Sequence, residues 1–287
     1  MRQARRNLQF ILSILAVVLF VALFGIFYKP QATGDLRVYF LDVGQGDASY
    51  IKTPSGQDIL IDGGEGSKVL SELGKVMDFG DQEIDLVILT HPHADHLTGL
   101  VEVIKRYKVD EVWETGVEYS SATYDYWQKE ISLQKIPNKF VKAGDTKELG
   151  EVKILILYPL SPLENQRIDN LNNASIINRL DYKKFSVLYL GDAEREAQLK
   201  IAKEMKLATV LKVGHHGSRN GTTSEILEVV RPALAVISVG KDNTYGHPHT
   251  EALNLLKEYA VRIFRTDQNG TVEVSSDGEG YAVKTNR

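Results

Sequence analysis

The stretch that decides the fold runs Thr90-His91-Pro92-His93-Ala94-Asp95-His96. It follows an apolar run, Asp85–Leu89, that predicts a buried strand, and it precedes helical spacing near Leu97–Tyr107. The histidines therefore lie on a loop at the carboxyl end of a strand. Imidazole nitrogens and carboxylate oxygens suit zinc or manganese. His91 and His93 can reach one ion, and Asp95 and His96, at the helix start, can turn toward a second. We expect one or two divalent metal ions here.

The remaining histidines also follow predicted strands. The chain has 7 histidines, and the other four form two pairs, His215-His216 after a strand ending at Val213 and His247/His249 after the strand Leu234–Ser238. Asp192 follows a further strand in Leu190-Gly191-Asp192, and its two carboxylate oxygens can bridge two ions. One edge of the fold should therefore collect every histidine.

The order of strands and helices predicts the fold class. Strands come in two batches, each followed by helices, which indicates two sheets packed face to face with helices outside, an α/β fold of the αββα four-layer sandwich type. The main predicted strands are Arg37–Val43, Ala48–Thr53, Asp58–Ile61, Asp85–Leu89, Val152–Leu157, Ala174–Leu180, Phe185–Leu190, Thr209–Val213 and Leu234–Ser238. The body forms one domain, 35–287.

The first 34 residues differ from the body. Arg2, Arg5 and Arg6 precede an apolar run, Leu8–Tyr28, whose length of 21 residues suffices at about 1.5 Å per residue to cross about 30 Å of hydrocarbon. We predict for 1–34 a basic cytoplasmic tip, a single transmembrane helix and a short linker. The positive-inside bias then places the body outside the cytoplasm. A cleaved signal peptide is the alternative.

Composition narrows the chemistry. The chain has 0 cysteines, which excludes disulfides, thiolate metal sites and a cysteine nucleophile. Residues 1–29 hold four of the 34 basic side chains and none of the 38 acidic ones, so the rest of the chain has 30 basic against 38 acidic, a net charge of about −8. Such a body lacks the overall basic surface typical of a tight nucleic-acid binder.

These residues resemble a known family. The His-x-His-x-Asp-His pattern of residues 91–96 resembles that of the metallo-β-lactamase superfamily. More narrowly, several blocks between about residues 36 and 275 resemble the hydrolase domain of ComEC, the DNA-uptake channel protein of competent bacteria. The blocks are Phe40–Asp47, Leu60–Gly64, Leu190–Glu194, Lys212–Ser218, Tyr245–Pro248 and Arg265–Asp267.

The resemblance implies an αββα fold, a two-metal site and phosphodiester hydrolysis, with DNA as the family's proposed substrate. It implies that His91 and His93 hold one ion, that Asp95, His96 and His247 hold the second, and that Asp192 bridges them. His215 and His216 would face the substrate phosphate or complete a metal shell.

Two departures from the family pattern matter. Many superfamily members carry another histidine ligand before the bridging aspartate, but none lies between His96 and Asp192, where the chain reads Asn172-Asn173-Ala174-Ser175. Water, Asn173 or His215 would then complete the first metal. The chain also has one hydrophobic span where ComEC has a many-helix channel, so we do not expect it to translocate DNA itself.

The expected mechanism uses a water shared by two ions, which lower its pKa toward about 7. Asp95 or Asp192 would accept its proton, and His215 or His216 would donate to the phosphate or the leaving oxygen. We expect at least one of three further carboxylates to hold a ligating imidazole through its other ring nitrogen. The surrounding residues in this prediction are Asp42, Asp47, Asp62, Asn173 and Ser218.

Several functions stay open at this point. The first is an extracytoplasmic metal-dependent nuclease that acts on DNA beside the uptake machinery, with Lys183, Lys184, Arg219 and Arg265 as basic strips that offset the negative charge. The second is hydrolysis of another phosphodiester, such as a cell-wall phosphorylcholine ester, which would need an aromatic pocket. The candidates for that pocket are Tyr119, Tyr124, Tyr126 and Trp127. β-Lactam hydrolysis and a non-catalytic, membrane-tethered binding module complete the set.

Overall fold

The structure, a computed structural model, describes Arg6, Asn7, Ser13 and residues 34–287. The chain divides into two units, Met1–Thr33 and Gly34–Arg287. Apart from Ser13, the predicted transmembrane run Leu8–Tyr28 lies outside the described residues, and it stays a prediction. Within the part of the chain that the structure describes, no helix combines the length and apolar character that a membrane span requires.

The larger unit consists of strands and helices that alternate along the chain. The strands are β1 (Leu36–Phe40), β2 (Ser49–Lys52), β3 (Asp58–Ile61), β4 (Glu83–Ile84), β5 (Leu86–Ile88), β6 (Lys108–Val109), β7 (Val112–Glu114), β8 (Asn138–Phe140), β9 (Thr146–Leu149), β10 (Val152–Tyr158), β11 (Ile177–Tyr182), β12 (Phe185–Tyr189), β13 (Val210–Lys212), β14 (Leu234–Ile237), β15 (Arg262–Arg265), β16 (Val272–Ser276) and β17 (Ala282–Thr285). The α-helices span Lys68–Val76, Ala94–Ile104, Ala122–Gln134, Arg195–Ile201, Ser224–Val230, Thr250–Glu258 and Thr266–Asn269.

Two sheets form the centre of this unit. The first has the strand order β17-β16-β1-β2-β3-β5-β7-β8, and the second β15-β14-β13-β12-β11-β10-β9. Successive side chains of a strand face opposite sides, so each sheet has two apolar faces. Phe40 and Val187 belong to the core between the sheets, whereas Tyr39 packs toward the helices of the first half and Leu188 toward those of the second. The predicted four-layer αββα sandwich is confirmed.

The helix after β5 shows how the sequence positions the site. Its apolar residues, Leu97, Leu100 and Ile104, are buried at helical spacing. The helix begins at Ala94, earlier than the predicted start near Leu97, so the metal-type residues Asp95 and His96 occupy its first turn. Its backbone touches the loop after β3, because a Cβ on Gly99 would lie 1.9 Å from the carbonyl oxygen of Gly63. Only glycine permits this approach.

Boundaries elsewhere differ from the sequence prediction for local reasons. The strand predicted over Ala174–Leu180 begins at Ile177, because Leu171–Ala174 forms a 3₁₀ turn. The helix predicted from Tyr119 begins at Ala122, where the hydroxyl of Ser121 accepts a hydrogen bond from the Tyr124 amide at 3.1 Å. A serine N-cap of this kind fixes a helix start.

Parallel pairing determines where the functional loops meet. β3 pairs with β5 in parallel in the first sheet, and β12, β13 and β14 pair in parallel in the second. Neighbouring parallel strands end at the same edge of a sheet, where ligands bind in many α/β folds. The loops that carry the histidines all follow these ends.

Candidate metal centre

The first part of the centre comes from the loop after β5. The side chain of His91 is fully buried, and that of His93 is half-buried. Nε2 of His91 lies 2.9 Å from Nδ1 of His93 and 3.9 Å from Oδ2 of Asp192. Two imidazole nitrogens and one carboxylate oxygen therefore converge at this end of the centre.

The second part joins residues from both sheets. Asp95, His96, Asp192 and His216 each offer one ligand atom, and these atoms all lie within 4.8 Å of one another. Nε2 of His96 is 3.3 Å from Oδ2 of Asp192, and Nε2 of His216 is 3.2 Å from Oδ2 of Asp95. Asp192 contacts both parts, so it is positioned to bridge two ions.

Buried polar atoms without hydrogen-bond partners indicate whether this arrangement suits a metal. Nε2 of His96 and Oδ1 of Asp192 are buried, and neither has a hydrogen-bond partner among the described residues. Leaving such groups unpaired costs about 1–3 kcal/mol each, so native structures rarely do so without a ligand. The donor set consists of nitrogen and oxygen atoms, which zinc and manganese accept. The residues present fit divalent ions.

Asp62, just past β3, fixes one ligand. Its Oδ1 accepts the Thr90 amide at 2.8 Å, and its Oδ2 accepts the Thr90 hydroxyl at 2.8 Å and lies 2.8 Å from Nδ1 of His96. A proton on Nδ1 leaves Nε2 of His96 as a lone pair directed at the centre.

The buried ion pair of Lys212 and Asp47 orients His216 in the same way. Nδ1 of His216 lies 3.2 Å from Oδ1 of Asp47 and 3.0 Å from the carbonyl oxygen of Ser238. Lys212 donates to Oδ2 of Asp47 at 2.6 Å, and its side chain is only 2% exposed. Sequence reasoning missed this lysine and Thr90. The signal available in the sequence was the charge of Lys212 in the otherwise apolar strand Val210–Lys212.

The turn that carries the His215-His216 pair has an unusual backbone. His215 has φ 46° and His216 has φ 52°, both in the left-handed region that non-glycine residues seldom occupy. The next residue, Gly217, packs so closely that a Cβ there would lie 2.6 Å from Cβ of Pro248. His216 thereby enters the centre, whereas His215 is partly exposed, with Nδ1 3.6 Å from Glu194 and Nε2 3.9 Å from Asp192.

The position of His247 differs from that expected from the family pattern, and its role as a ligand stays a prediction. That expectation put His247 with Asp95 and His96, but His216 occupies this place. The ring centre of His247 lies 6.2 Å from that of His216 and 5.5 Å from that of His215, and His247 is outside the four-residue group. The left-handed turn brings Nε2 of His216 to 3.2 Å from Asp95 and 3.5 Å from Asp192, a position that suits the alternative in which His216 completes a metal shell.

Of three other predicted residues, Asp42 and Asn173 have local partners, and Ser218 has none for its hydroxyl in the part of the chain that the structure describes. Asp42 contacts Lys68 at 2.9 Å and Arg287 at 2.8 Å, so its carboxylate binds cations rather than an imidazole. Oδ1 of Asn173 accepts the Glu194 amide at 3.0 Å, which places this oxygen at the start of the helix Arg195–Ile201 rather than on a metal. The hydroxyl of Ser218 is buried without a hydrogen-bond partner among the described residues.

The charges of the centre favour cations. Burial lowers the pKa of His91 and of His93, and neighbouring imidazoles add to the effect. Burial raises the pKa of Asp95, but His96 and His216 outweigh it and hold that pKa below its usual value. Burial, together with the nearby rings of His216 and His215, lowers the pKa of His247 to about 4. At neutral pH these three histidines are uncharged and Asp95 is ionised, as metal ligands are. Burial opposes a charge on His96 and His216, but Asp192 and the neighbouring carboxylates outweigh it and raise the pKa of both rings, so an ion that binds them would displace their protons.

Comparison with known proteins places this geometry in a family. The family model described as the Metallo-beta-lactamase superfamily matches residues 41–241. ComE operon protein 3 of Bacillus subtilis is 30% identical over 270 residues, which cover 88% of this chain and 34% of that protein. The chain thus spans about a third of the length of this curated relative. Exodeoxyribonuclease WalJ of Streptococcus pneumoniae is 26% identical over 109 residues, covering 38% of this chain and 39% of WalJ.

A solved structure supports the fold independently. The metallo-beta-lactamase fold protein YhfI from Bacillus subtilis superimposes with a TM-score of 0.56 at 14% identity, covering 83% of this chain and 99% of that one. At this identity the likeness concerns the fold alone.

Proposed function

This chain belongs to the metallo-β-lactamase superfamily and is a metal-dependent hydrolase, and we propose that its reaction is hydrolysis of phosphodiester bonds in DNA. The observation that carries the proposal is the convergence of Asp95, His96 and His216 with Asp192, and the approach to the same carboxylate of His91, which contacts His93. Centres with two sets of ligands around one bridging carboxylate are suited to in-line displacement at phosphorus.

The ligand roles follow from the distances. His91 and His93 would hold one ion, Asp95, His96 and His216 the other, and Asp192 both. Bound ions would lower the pKa of a water and neutralise charge on the phosphate oxygens. Oδ1 of Asp192 is buried and accepts no hydrogen bond from the described residues, so it can accept the proton of the attacking water. Asp95 is the alternative acceptor, since its carboxylate stays ionised.

Two histidines remain beside the ligands. His215 is partly exposed, and its Nε2 lies 3.9 Å from Oδ2 of Asp192, which puts it within reach of a phosphate at the centre. His247 lies next to it and is uncharged at neutral pH, so it donates one N–H hydrogen bond. In this proposal His215 donates a proton to the leaving oxygen and His247 orients the phosphate.

The surroundings of His93 favour a nucleotide substrate over a choline ester. A cavity of about 530 Å³ adjoins His93, and Tyr119 is the one aromatic side chain among the residues described as lining it. Tyr124 and Trp127 are buried against Glu114, and Tyr126 lies beside Lys105. A quaternary ammonium is usually enclosed by several aromatic faces. The name exodeoxyribonuclease of the relative WalJ adds support for DNA.

The proposal extends to location. The run Leu8–Tyr28, with Arg2, Arg5 and Arg6 before it, supports a single transmembrane anchor with the catalytic unit outside the cytoplasm. The likeness to ComE operon protein 3 and the family resemblance support a place beside DNA-uptake machinery. Proteolysis of intact and permeabilised cells that express a tagged chain tests the topology.

The activity test uses the full chain in detergent. We would strip it with a chelator, reload it with zinc or manganese, measure bound metal and assay cleavage of plasmid and single-stranded DNA. Asp192→Asn should lose metal and activity together, whereas Asp125→Asn, an exchange on a surface helix, should retain both. Metal-loaded protein that cleaves bis(p-nitrophenyl) phosphate but leaves DNA intact would exclude the nuclease. Metal-loaded protein inert on both would indicate a binding module.

A further inference from the structure

A second cavity lies next to the metal centre, on the side of the loop between β1 and β2. Its volume is about 240 Å³, and its lining includes Lys68, Lys241, Arg287, Gln45, Gly240 and Asn243. No residue predicted as a metal ligand or proton donor lines it.

The charge balance of this cavity is positive. Lys68 and Arg287 share one carboxylate, that of Asp42, at 2.9 and 2.8 Å. The carboxylate of Asp267 is already bound at both oxygens by Arg265, at 3.0 and 2.6 Å. Lys241 is exposed and forms no ion pair with any residue in the described ranges. The cavity is therefore locally positive on a body whose net charge is about −8, and this charge favours the binding of an anion.

The walls of the cavity also hold the metal centre. The amide of Gly240 donates to Oε1 of Gln45 at 3.2 Å, and a Cβ on Gly240 would lie 2.6 Å from the Gln45 nitrogen, so these two loops touch at the backbone. Two residues beyond Gln45, the amide of Asp47 donates to the carbonyl oxygen of Asp95 at 3.2 Å. The cavity and a predicted ligand therefore share one loop.

Asn243, which also lines the cavity, contacts the backbone of His247. Asn243 accepts the His247 amide at 3.0 Å through Oδ1 and donates through Nδ2 to the His247 carbonyl at 2.7 Å. The same Nδ2 donates to the carbonyl of Gly240 at 3.0 Å. Asn243 therefore links the backbone beside Lys241 to that of His247.

The basic residues singled out in the sequence lie elsewhere or are paired. Lys183 and Lys184 form the turn between β11 and β12, at the end of β12 opposite Asp192, and they pair with Glu151 and Glu279. Arg219 pairs with Glu251 at 2.9 Å, and Arg265 binds Asp267. Each of them is paired with a carboxylate, whereas Lys241, in the cavity, forms no ion pair with the described residues.

We infer that the cavity with Lys68, Lys241 and Arg287 binds a second phosphate of the substrate, one or more nucleotides away from the bond that is cleaved. The inference rests on the proposed phosphodiester hydrolysis and deepens it, because the substrate must then be a polyanionic strand rather than an isolated diester. Lys241 makes the main contact with this phosphate. Lys68 and Arg287, which share the single carboxylate of Asp42, keep the net charge of the cavity positive.

The test compares two substrates and two matched variants of the full chain. Oligothymidylate of five nucleotides carries several phosphates, whereas bis(p-nitrophenyl) phosphate carries one. Lys241→Gln should raise the ratio of the KM for the oligonucleotide to the KM for the small diester by about tenfold, since one charge-assisted contact is lost. Lys203→Gln removes the same charge from an exposed position outside this cavity and should leave the ratio unchanged. The logarithmic salt dependence of oligonucleotide binding should weaken by about 0.7 in Lys241→Gln.

A binding assay separates this inference from the proposed function. Fluorescein-labelled oligothymidylate is titrated with chelator-treated protein, and anisotropy gives the Kd without turnover. Equal KM ratios and equal Kd values for Lys241→Gln and Lys203→Gln would overturn the second phosphate site, even if DNA is cleaved. Weaker binding by Lys241→Gln alone would support the site, even if no substrate is hydrolysed and the nuclease proposal fails.

Discussion

Replacing Asp62 by asparagine should weaken metal binding without disturbing the fold. Asp62 has φ 58°, a conformation that asparagine tolerates well, and the two side chains have the same shape. In the variant, Oδ1 still accepts the Thr90 amide. The new amide group replaces Oδ2 and donates to Nδ1 of His96, so the imidazole proton moves to Nε2. A protonated Nε2 cannot bind a metal.

The magnitude follows from this change of tautomer. Loss of a carboxylate that orients a ligating histidine usually weakens metal affinity by about 10- to 100-fold. Asp62 is 1% exposed, so water cannot replace it, and we expect the upper end of this range. A 100-fold loss corresponds to about 2.7 kcal/mol.

The assay is a zinc titration of chelator-treated protein in competition with a chromophoric chelator. The matched control is Asp58→Asn, the same exchange of a buried aspartate at the start of the same strand, where Asp58 binds Lys52 at 3.0 Å. The control should keep the zinc affinity of the unmodified chain. A zinc Kd within threefold of that value in Asp62→Asn, with unchanged stoichiometry, would refute the reasoning about His96.

Three further predictions concern the metal, the buried charges and pH. His216→Ala should lose one ion by elemental analysis, whereas His247→Ala should keep the metal content and lose turnover; the reverse pattern would restore the ligand set expected from the family. Lys212→Met should lower the free energy of unfolding of the metal-free protein by about 3 kcal/mol in urea, because Asp47 keeps a buried charge without its cation; an unchanged urea midpoint would contradict this. Burial raises the pKa of Asp58 to about 6, above the unfolded value of about 3.9. The folded state then keeps a proton that the unfolded state releases, so this contribution to stability is lost as the pH rises from about 4 to about 6. Asp58→Asn should therefore flatten the plot of unfolding free energy against pH between about pH 4 and about pH 6. Parallel plots for the variant and the unmodified chain would exclude the effect.

The periodic parts of the sequence predicted the architecture well. Successive side chains of β1 and β12 pack on opposite faces of their sheets, because side chains alternate along a strand, and a four-layer sandwich buries both faces of each sheet. Short edge strands such as β8 and β17 were missed, because none of their side chains is fully buried and they carry little apolar pattern.

The sequence indicated which residue types gather at the site, whereas the roles assigned to them stay predictions. His91 and Asp95 follow a strand of the first sheet and Asp192 follows a strand of the second, and they converge because the two sheets pack with these strand ends at the same edge of the sandwich. The position of His216 beside Asp95, His96 and Asp192 depends on a left-handed turn at His215-His216, and no apolar pattern encodes that turn. Lys212 was missed since its importance lies in a contact with Asp47, which is 165 residues away in the chain. Long-range contacts of this kind are set by the packing of the two sheets.

The origin of the ligands has a consequence for folding. His91, His93, Asp95 and His96 follow a strand of one sheet, whereas Asp192 and His216 follow strands of the other. An ion at this edge would act as a cross-link that clamps the two halves of the sandwich, much as a disulfide would in a protein with cysteines. The melting temperature should therefore rise with the logarithm of the free metal concentration. In a cell that keeps this metal scarce, the protein would lose stability as well as activity.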